Sequence, residues 1–328
     1  MSIVTLANSI QFECQPEEVI LDAAKRQHIA IEHSCRTGRC GVCKTQVISG
    51  LATAIKPEES LTEQEKNRGF ILTCCRIASS PLHLDIEDLG ELGKLQIKTL
   101  PCRIAGLKNL SDDVVEVTLR TPPASKLEYM PGQYVDMIGN GGLRRSYSIA
   151  NAPREDGKIT LQVRKVVNGE MSEYWFNEAK LNDLLRMEGP LGTFSLRKSN
   201  ARNLILLATG TGIAPIRAIL EQMVASPELN TFNNIHLYWG GREGKDIYWQ
   251  PDYPKLPLRF IPVLSRLSEW QGRNGYVQEV AIEDGHQWHD SVVYACGSEA
   301  MINSACDRLI KAGLNRKNFY SDAFVSSN

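Results

Sequence analysis

The sequence predicts a multidomain chain of mixed α+β and α/β class. Its expected parts are a small cysteine-bearing N-terminal domain, an antiparallel β-barrel and a parallel-sheet α/β domain. Three observations lead there. Residues 1–92 combine a cysteine cluster with an excess of acid, the middle third reads as alternating strands, and the last third alternates apolar strands with helices. A length of 328 residues suits two or three domains at roughly 100–200 residues each. Hydrophobic residues make up 42% and charged residues 23%, which excludes a disordered, collagen-like or low-complexity protein.

Residues 1–92 hold nine Lys/Arg and thirteen Asp/Glu, a balance of −4 within a whole-chain −1. A nearly neutral chain favours neither nucleic acid nor an anionic membrane. No apolar run approaches the roughly 20 residues needed to span a bilayer. The start, MSIVTLANSIQFECQPEEV, has no basic stretch followed by an apolar one, so a cytoplasmic protein without a signal peptide is expected. Nine cysteines, an odd number, argue against a closed disulfide framework. Four of them, Cys35, Cys40, Cys43 and Cys74, form an uneven cluster, and in a reducing compartment such a cluster more often binds metal.

The segment Asp85–Lys98 (DIEDLGELGKLQIK) has two glycines and no aromatic residue and reads as a linker. From 99 to 199, VVEVTLR, QYVDMIG, RSYSIAN and ITLQVRKV alternate apolar with polar residues between turns, the texture of an antiparallel barrel. A second change falls at LRKSNARN, residues 196–203. From 200 to 328, LILLATG, NIHLYWGG, LRFIPVLS and SVVYACGS read as buried strands. Helical spacing follows Pro215 and recurs over Tyr276–Ile282 and Glu299–Lys311, which implies a parallel sheet with crossover helices. There are no internal repeats.

Cys35-Arg-Thr-Gly-Arg-Cys40-Gly-Val-Cys43 has the C-x4-C-x2-C spacing of a two-iron, two-sulfide centre, with a distant fourth cysteine. Gly38 and Gly41 let backbone amides turn inward toward sulfur. A structural zinc site usually uses paired C-x2-C spacings, and only one such pair exists here. Cys74 and Cys75 compete for the fourth place; adjacent residues project differently, so one alone should face the cluster. Cys14, Cys102 and Cys306 read as small buried hydrophobes.

Arg145-Ser-Tyr147-Ser148 lies on an alternating strand, Arg145 and Tyr147 on one face and Ser148 on the other. A guanidinium suits a pyrophosphate, a phenol can lie along a ring system, and a hydroxyl can bond a flavin nitrogen; the bland alternative is a strand with one exposed cation. Downstream, Gly169-Glu-Met-Ser172 precedes EYWFNEAKLNDLL, which has a helical pattern from about Ser172. Such a helix start can hold a diphosphate, or Ser172 simply caps it.

Thr209-Gly210-Thr211-Gly212-Ile-Ala-Pro215 joins an apolar strand to a helix, where glycines permit close approach of a second diphosphate. The third glycine of G-x-G-x-x-G is missing. Cys296-Gly297-Ser298 ends another strand of this sheet, where ligands of open α/β folds collect; core packing is the alternative for Cys296. Arg242 could pair with a phosphate or sit in solvent. No basic cluster marks a 2′-phosphate site, so NADH is expected over NADPH.

These motif sets, in this order, resemble the ferredoxin–NAD(P)+ reductase superfamily, in the branch with an N-terminal plant-type ferredoxin domain. The resemblance covers essentially the whole chain. It implies a β-grasp fold for residues 1–92, an FAD-binding barrel over 99–199 and an NAD-binding domain over 200–328. Leu72-Thr73-Cys74 resembles the L-T-C of plant ferredoxins, which makes Cys74 the fourth iron ligand. By the same resemblance, Arg145-x-Tyr147-Ser148 and Gly169-x-x-Ser172 bind FAD, while Gly210-Thr211-Gly212-x-x-Pro215 and Cys296-Gly297 bind pyridine nucleotide. An aromatic near the C-terminus covers the flavin in this family; Phe324 is the candidate by position, with Tyr320 or Phe319 as alternatives, or all three belong to the core.

The longer strings EHSC (Glu32–Cys35), ILTCC (Ile71–Cys75), RRSYSIANAP (Arg144–Pro153), VRKVVNG (Val163–Gly169), YACGS (Tyr294–Ser298) and SDAFV (Ser321–Val325) look like those of reductases in one part of this branch. Those reductases serve a pyridoxamine-phosphate-dependent dehydratase that makes CDP-3,6-dideoxyhexoses for O-antigen. The expected route is hydride from NADH to FAD N5, then single electrons through the 2Fe–2S cluster to a docked partner. Ser148 would bond near N5, and Cys296 would pack against the nicotinamide. The acidic N-terminal domain offers a docking surface for a basic patch, or is merely a solvated acidic face. Rival readings are an aromatic-ring or hydrocarbon oxygenase reductase, a non-enzymatic redox sensor, and a zinc-bearing binding module.

Overall fold

The computed structural model describes residues 1–266 and 270–324. They form two compact units, residues 1–96 and 97–324. Among the described residues no helix is long and apolar enough to cross a membrane.

In the first unit the strand Ser2–Leu6 pairs antiparallel with Gln11–Cys14 and parallel with Leu82–Leu84. Lys44–Ser49 and Phe70–Leu72 complete a five-stranded mixed sheet. The helix Ile20–Arg26 supplies the buried side chains Ile20, Leu21, Ala23 and Ala24. They join Val4, Leu6, Leu72 and Leu84 in one core, the β-grasp arrangement expected from the sequence. The boundary between the units falls inside the expected linker Asp85–Lys98, whose first part packs on the first unit. The Ala30 N–H donates to Asp88 Oδ1 at 2.9 Å, the Leu89 N–H donates to the Ala30 carbonyl at 2.7 Å, and a Cβ at Gly93 would lie 2.2 Å from the His28 carbonyl.

In the second unit six antiparallel strands run in the spatial order Arg144–Ser148, Tyr134–Ile138, Leu184–Leu191, Lys98–Ser111, Val114–Arg120, Ile159–Arg164. Ile149, just past the first of these, bridges to Leu161 in the last, so the two sheet edges meet and the barrel closes. Alternation does the rest: Val115, Val117 and Leu119 point inward with Leu161 and Val163, and Glu116 lies on the other face. The helix expected from Ser172 is shorter and earlier. It spans Glu170–Glu173 and continues as one wide π-type turn, Tyr174–Glu178. Leu184 and Leu185, whose spacing also fits a helix, instead begin a barrel strand, because its Cα register with Lys98–Arg103 completes the sheet.

The remaining strands form a parallel sheet in the order Arg273–Asn274, Leu258–Leu264, Asn234–Gly241, Asn203–Thr209, Ser291–Ser298, Phe319–Phe324. Leu204 through Ala208 are fully buried, which is why this strand is a continuous apolar run rather than an alternating one. Asn203–Thr209 leads on one side to the next strand in sequence and on the other to Ser291–Ser298. The strand order therefore reverses there, and the ends Thr209 and Cys296 flank the crevice where such sheets bind ligands.

One polar cluster sits apart from that crevice. The Tyr238 hydroxyl donates to Asp284 Oδ2 at 2.7 Å and lies 2.7 Å from His286 Nε2, and the His236 and His286 rings are 4.5 Å apart. Burial, then repulsion from His236, pushes His286 down to about 4. Its value in an unfolded chain is about 6.5, so the unfolded state takes up the proton first. Stability is therefore expected to fall as pH drops from about 6.5 toward 4. Melting temperatures between pH 7 and 5 should show a shallower slope for His286→Gln than for the unaltered protein, and parallel slopes would refute this.

Candidate functional site

The loop carrying Cys35, Cys40 and Cys43 turns through left-handed positions, φ 82° at Gly38 and 71° at Gly41. The turns aim amides at sulfur. Thr37 and Cys40 each donate an N–H to Cys35 Sγ at 3.4 Å, and the Gly38 N–H donates to Cys74 Sγ. The four thiols fall into two pairs: Cys35 bonds Cys40, and Cys43 Sγ lies 3.2 Å from Cys74 Sγ. Cys40 and these amides draw the Cys35 thiol down, and Cys43 leads the effects that lower Cys74. Cys75, by contrast, donates to the Pro57 carbonyl at 3.4 Å, and burial pushes it up to about 12. A Cβ at Gly38 would lie 2.2 Å from that same carbonyl, so only glycine fits this turn.

Among the described residues no three His, Cys, Asp or Glu converge on a single metal ion. Two thiol pairs are the donor set for two irons, and the residues fit a 2Fe–2S centre.

In the barrel, Arg145 and Tyr147 are half-buried and Ser148 is 7% exposed. Arg144 is paired with Glu188 at 3.1 Å. Arg145 donates only to the carbonyl of Arg144 and enters no ion pair among the described residues, which leaves its charge for an anion. The Trp175 indole N–H donates to the Tyr147 hydroxyl at 3.2 Å, and the two rings meet edge to face, 6.2 Å apart at 85°. Burial pushes the Tyr147 phenol up to about 12, so it stays neutral. The Ser148 hydroxyl makes no hydrogen bond among the described residues, as expected of a group kept for a ligand. Gly169 precedes the helix Glu170–Glu173, and Ser172 does not cap it. Its hydroxyl instead accepts the Val166 N–H at 2.9 Å, holding the preceding loop against the helix.

The nucleotide turn and the strand beside it are locked together. Gly210–Gly212 form one 3-10 turn that runs into the helix Ile213–Ala225, where Pro215 occupies the third position and is buried. A Cβ at Gly212 would fall 2.2 Å from the Cys296 carbonyl oxygen. Gly297 has φ 148°, and a Cβ there would fall 2.1 Å from Thr209 Oγ1, which accepts the Ser298 N–H at 3.3 Å. The Trp239 indole N–H donates to the Gly210 carbonyl at 2.9 Å. Thr211 is half-buried at this turn. A backbone approachable only because side chains are missing is what a diphosphate needs.

Cys296 is wholly buried, and burial pushes its thiol well above the ordinary range. Phe324, 39% exposed, pairs by register with Ser298. Tyr320 packs 4.9 Å from Tyr294 with the Arg197 guanidinium over its face, and Phe319 pairs with Val293 farther down the strand. Phe324 is thus the aromatic of the three beside the Cys296–Ser298 end; Val325, which closes the SDAFV string, lies outside the described residues. Arg242 is exposed. Cys306, expected to be buried, is half-buried and takes a bond from Arg316 Nη1 at 3.5 Å.

Sequence reading passed over two groups here. Trp175 lies in an ordinary-looking aromatic run. Arg164 closes a barrel strand, yet its Nη1 would lie 2.8 Å from a Cβ at Gly210. The turn and the cation are 46 positions apart, and no local pattern links them.

Comparison with known proteins gives three consecutive family matches: a 2Fe-2S iron-sulfur cluster binding domain over residues 4–79, an oxidoreductase FAD-binding domain over 101–196 and an oxidoreductase NAD-binding domain over 206–307. The chain is 42% identical over 327 residues to the CDP-6-deoxy-L-threo-D-glycero-4-hexulose-3-dehydrase reductase of Yersinia pestis, covering 98% of this chain and 97% of that one. It is 37% identical to Protein RfbI of Salmonella typhimurium (98% and 96% covered) and 30% identical to a terephthalate 1,2-dioxygenase reductase component of Comamonas (98% and 96%). Among solved structures, the Amycolatopsis cytochrome P450 reductase GcoB superposes with a TM-score of 0.74 at 26% identity, with both chains fully covered.

Proposed function

The chain belongs to the ferredoxin–NAD(P)+ reductase superfamily, in the branch with an N-terminal 2Fe–2S domain; with that membership come FAD, a 2Fe–2S cluster and NADH as its cofactors, and from it we propose a specific electron acceptor. That acceptor is the dehydratase of CDP-3,6-dideoxyhexose synthesis for O-antigen, a pyridoxamine-phosphate-dependent enzyme, and the chain acts as a CDP-6-deoxy-Δ3,4-glucoseen reductase. One observation carries the choice. Identity over nearly the full length is 42% with the hexulose-dehydrase reductases, against 30% and 31% with reductase components named for terephthalate dioxygenase and for xylene/toluene monooxygenase. The oxygenase reading is the one this margin disfavours.

When bound, FAD takes a hydride's two electrons from NADH and releases them singly through the cluster, a conversion that neither partner makes alone. The protein's task is placement. Cys35 and Cys40 hold one iron, and Cys43 and Cys74 hold the other. Arg145 and the Gly169–Ser172 segment hold the flavin diphosphate, Tyr147 lies along the ring system, and Ser148 offers its hydroxyl near N5. Gly210, Thr211, Gly212 and Pro215 shape the nicotinamide-nucleotide turn, Gly297 lies against the nicotinamide with Cys296 buried behind it, and Phe324 covers the flavin. The three tasks divide over residues 1–92, 99–199 and 200–328. A cytoplasmic location belongs to this reading, since a thiolate-held cluster suits a reducing compartment.

Mixing purified protein, NADH and the dehydratase with its CDP-sugar is expected to yield the 3-deoxygenated sugar only when this chain is present. NADH oxidation with an artificial dye but no deoxysugar would move the assignment to an oxygenase partner. A colourless protein inert to NADH would sink the reductase reading itself.

A further inference from the structure

We infer that Arg217 and Glu221 are positioning residues for hydride transfer, setting the distance between nicotinamide and flavin while touching neither; this rests on the NADH-to-FAD reading above. In that step the C4–H bond of NADH breaks and an N–H bond forms at flavin N5. NADH leaves as NAD+, and the electron pair stays with the flavin. Its rate depends steeply on geometry, and a misplacement of about 1 Å can cost roughly a hundredfold.

The barrel and the nucleotide-binding sheet meet along a polar seam. Arg217 lies one turn into the helix Ile213–Ala225 and Glu221 two turns in, on the helix that begins at the nucleotide turn. Arg217 Nη1 donates to Glu116 Oε2 of the barrel at 2.8 Å, and its Nε donates to Glu221 Oε1 at 3.1 Å. The other oxygen of Glu221 accepts the N–H of Ala152 at 3.1 Å. Ala152 stands four residues beyond Ser148, in the stretch that closes the barrel. One carboxylate thus joins the helix of the nucleotide turn to the chain leaving the flavin strand.

The same barrel face is engaged twice more. Glu116 is the register partner of Gln162, whose Oε1 accepts the Tyr248 hydroxyl at 3.0 Å, and Arg164 reaches Asp246 at 3.3 Å. An apolar contact tolerates sliding; hydrogen bonds from a planar guanidinium to two carboxylates do not. Arg217, Glu116 and Glu221 have side chains only 18–21% exposed, so water replaces these bonds poorly, and removing one partner strands the others. A helix freed from Glu116 and Ala152 would carry Gly210–Gly212 away from Ser148 as a rigid piece.

The test is anaerobic stopped-flow reduction by NADH of the FAD-loaded full chain, unaltered and as Glu221→Gln, Arg217→Ala, Arg217→Lys and Glu116→Gln, with FAD content and melting temperature recorded for each. The limiting flavin-reduction rate is expected to fall ten- to a hundredfold while the NADH dissociation constant stays within threefold. The long-wavelength absorbance of reduced flavin beside NAD+ should weaken, and Arg217→Lys should recover part of what Arg217→Ala loses. Should Glu221→Gln fail to retain FAD, Glu116→Gln and Arg217→Lys still decide the matter, since each leaves the Ala152 bond in place. Variants with lowered melting temperatures but an unaltered limiting rate and absorbance overturn the inference. If the unaltered protein is not reduced by NADH, the functional reading fails instead.

Discussion

Cys74→Ser is expected to abolish the iron–sulfur signal, whereas Cys75→Ser leaves it intact. The two residues are neighbours of equal chemistry, so only geometry separates them. Cys74 Sγ sits 3.2 Å from Cys43 Sγ and takes the Gly38 N–H; Cys75 turns to the Pro57 carbonyl. An iron held by Cys43 and Cys74 would lose a ligand in the first variant and none in the second. Changes one shell farther out commonly cost 10–100-fold in metal affinity, so loss of a ligand should cost more. Electron paramagnetic resonance of the reduced proteins reads the cluster directly. Flavin reduction by NADH should survive in Cys74→Ser, while delivery to a one-electron protein acceptor collapses. The reverse pattern, with the signal lost only in Cys75→Ser, would reassign the fourth ligand.

A second large effect is expected from a single methyl group at Gly212. Its Cβ would lie 2.2 Å from the Cys296 carbonyl oxygen and 2.6 Å from the carbonyl carbon. Both are backbone atoms of a central strand and cannot swing aside, so the turn or the strand end must move. Overpacking of this kind costs about 1–3 kcal/mol, which corresponds to a fall of several degrees in melting temperature. The functional loss should be larger, because the displaced backbone is the proposed diphosphate cradle. We expect NADH affinity to drop at least tenfold in Gly212→Ala, with FAD and cluster contents unchanged. Gly244→Ala is the control, since nothing lies within 4 Å of the added Cβ. Titration with NADH checks both variants, and unaltered affinity in Gly212→Ala would show that the turn does not hold the nucleotide.

The features legible from sequence share one property: the residues concerned lie within a few positions of one another. Cys35 to Cys43 is one loop, Arg145 to Ser148 one strand, and Gly210 to Pro215 one turn with the helix start it runs into. Short-range geometry governs each. The strand Leu204–Ala208 was readable because burial on both faces leaves only apolar residues. The helix expected after Ser172 was misjudged because Leu184 and Leu185 carry a spacing that fits either state, and pairing with Lys98–Arg103 decides for strand. A cap was one of two readings of Ser172, but its hydroxyl is taken by Val166 three positions before Gly169.

The amino-acid order alone determined which prosthetic groups this protein is built to carry, since thiol spacing, a strand cation and glycine turns are chemical requirements met locally. Only the tertiary structure decided how those pieces stand to one another. It turned Cys74 toward Cys43 and its neighbour Cys75 toward the Pro57 carbonyl, closed the barrel through Ile149 and Leu161, and brought Arg217 to a glutamate 101 positions away. The reason is entropic as much as geometric. Contacts between distant residues form only once the chain has met the cost of closing long loops, and which pairs then meet depends on the whole set of strand registers.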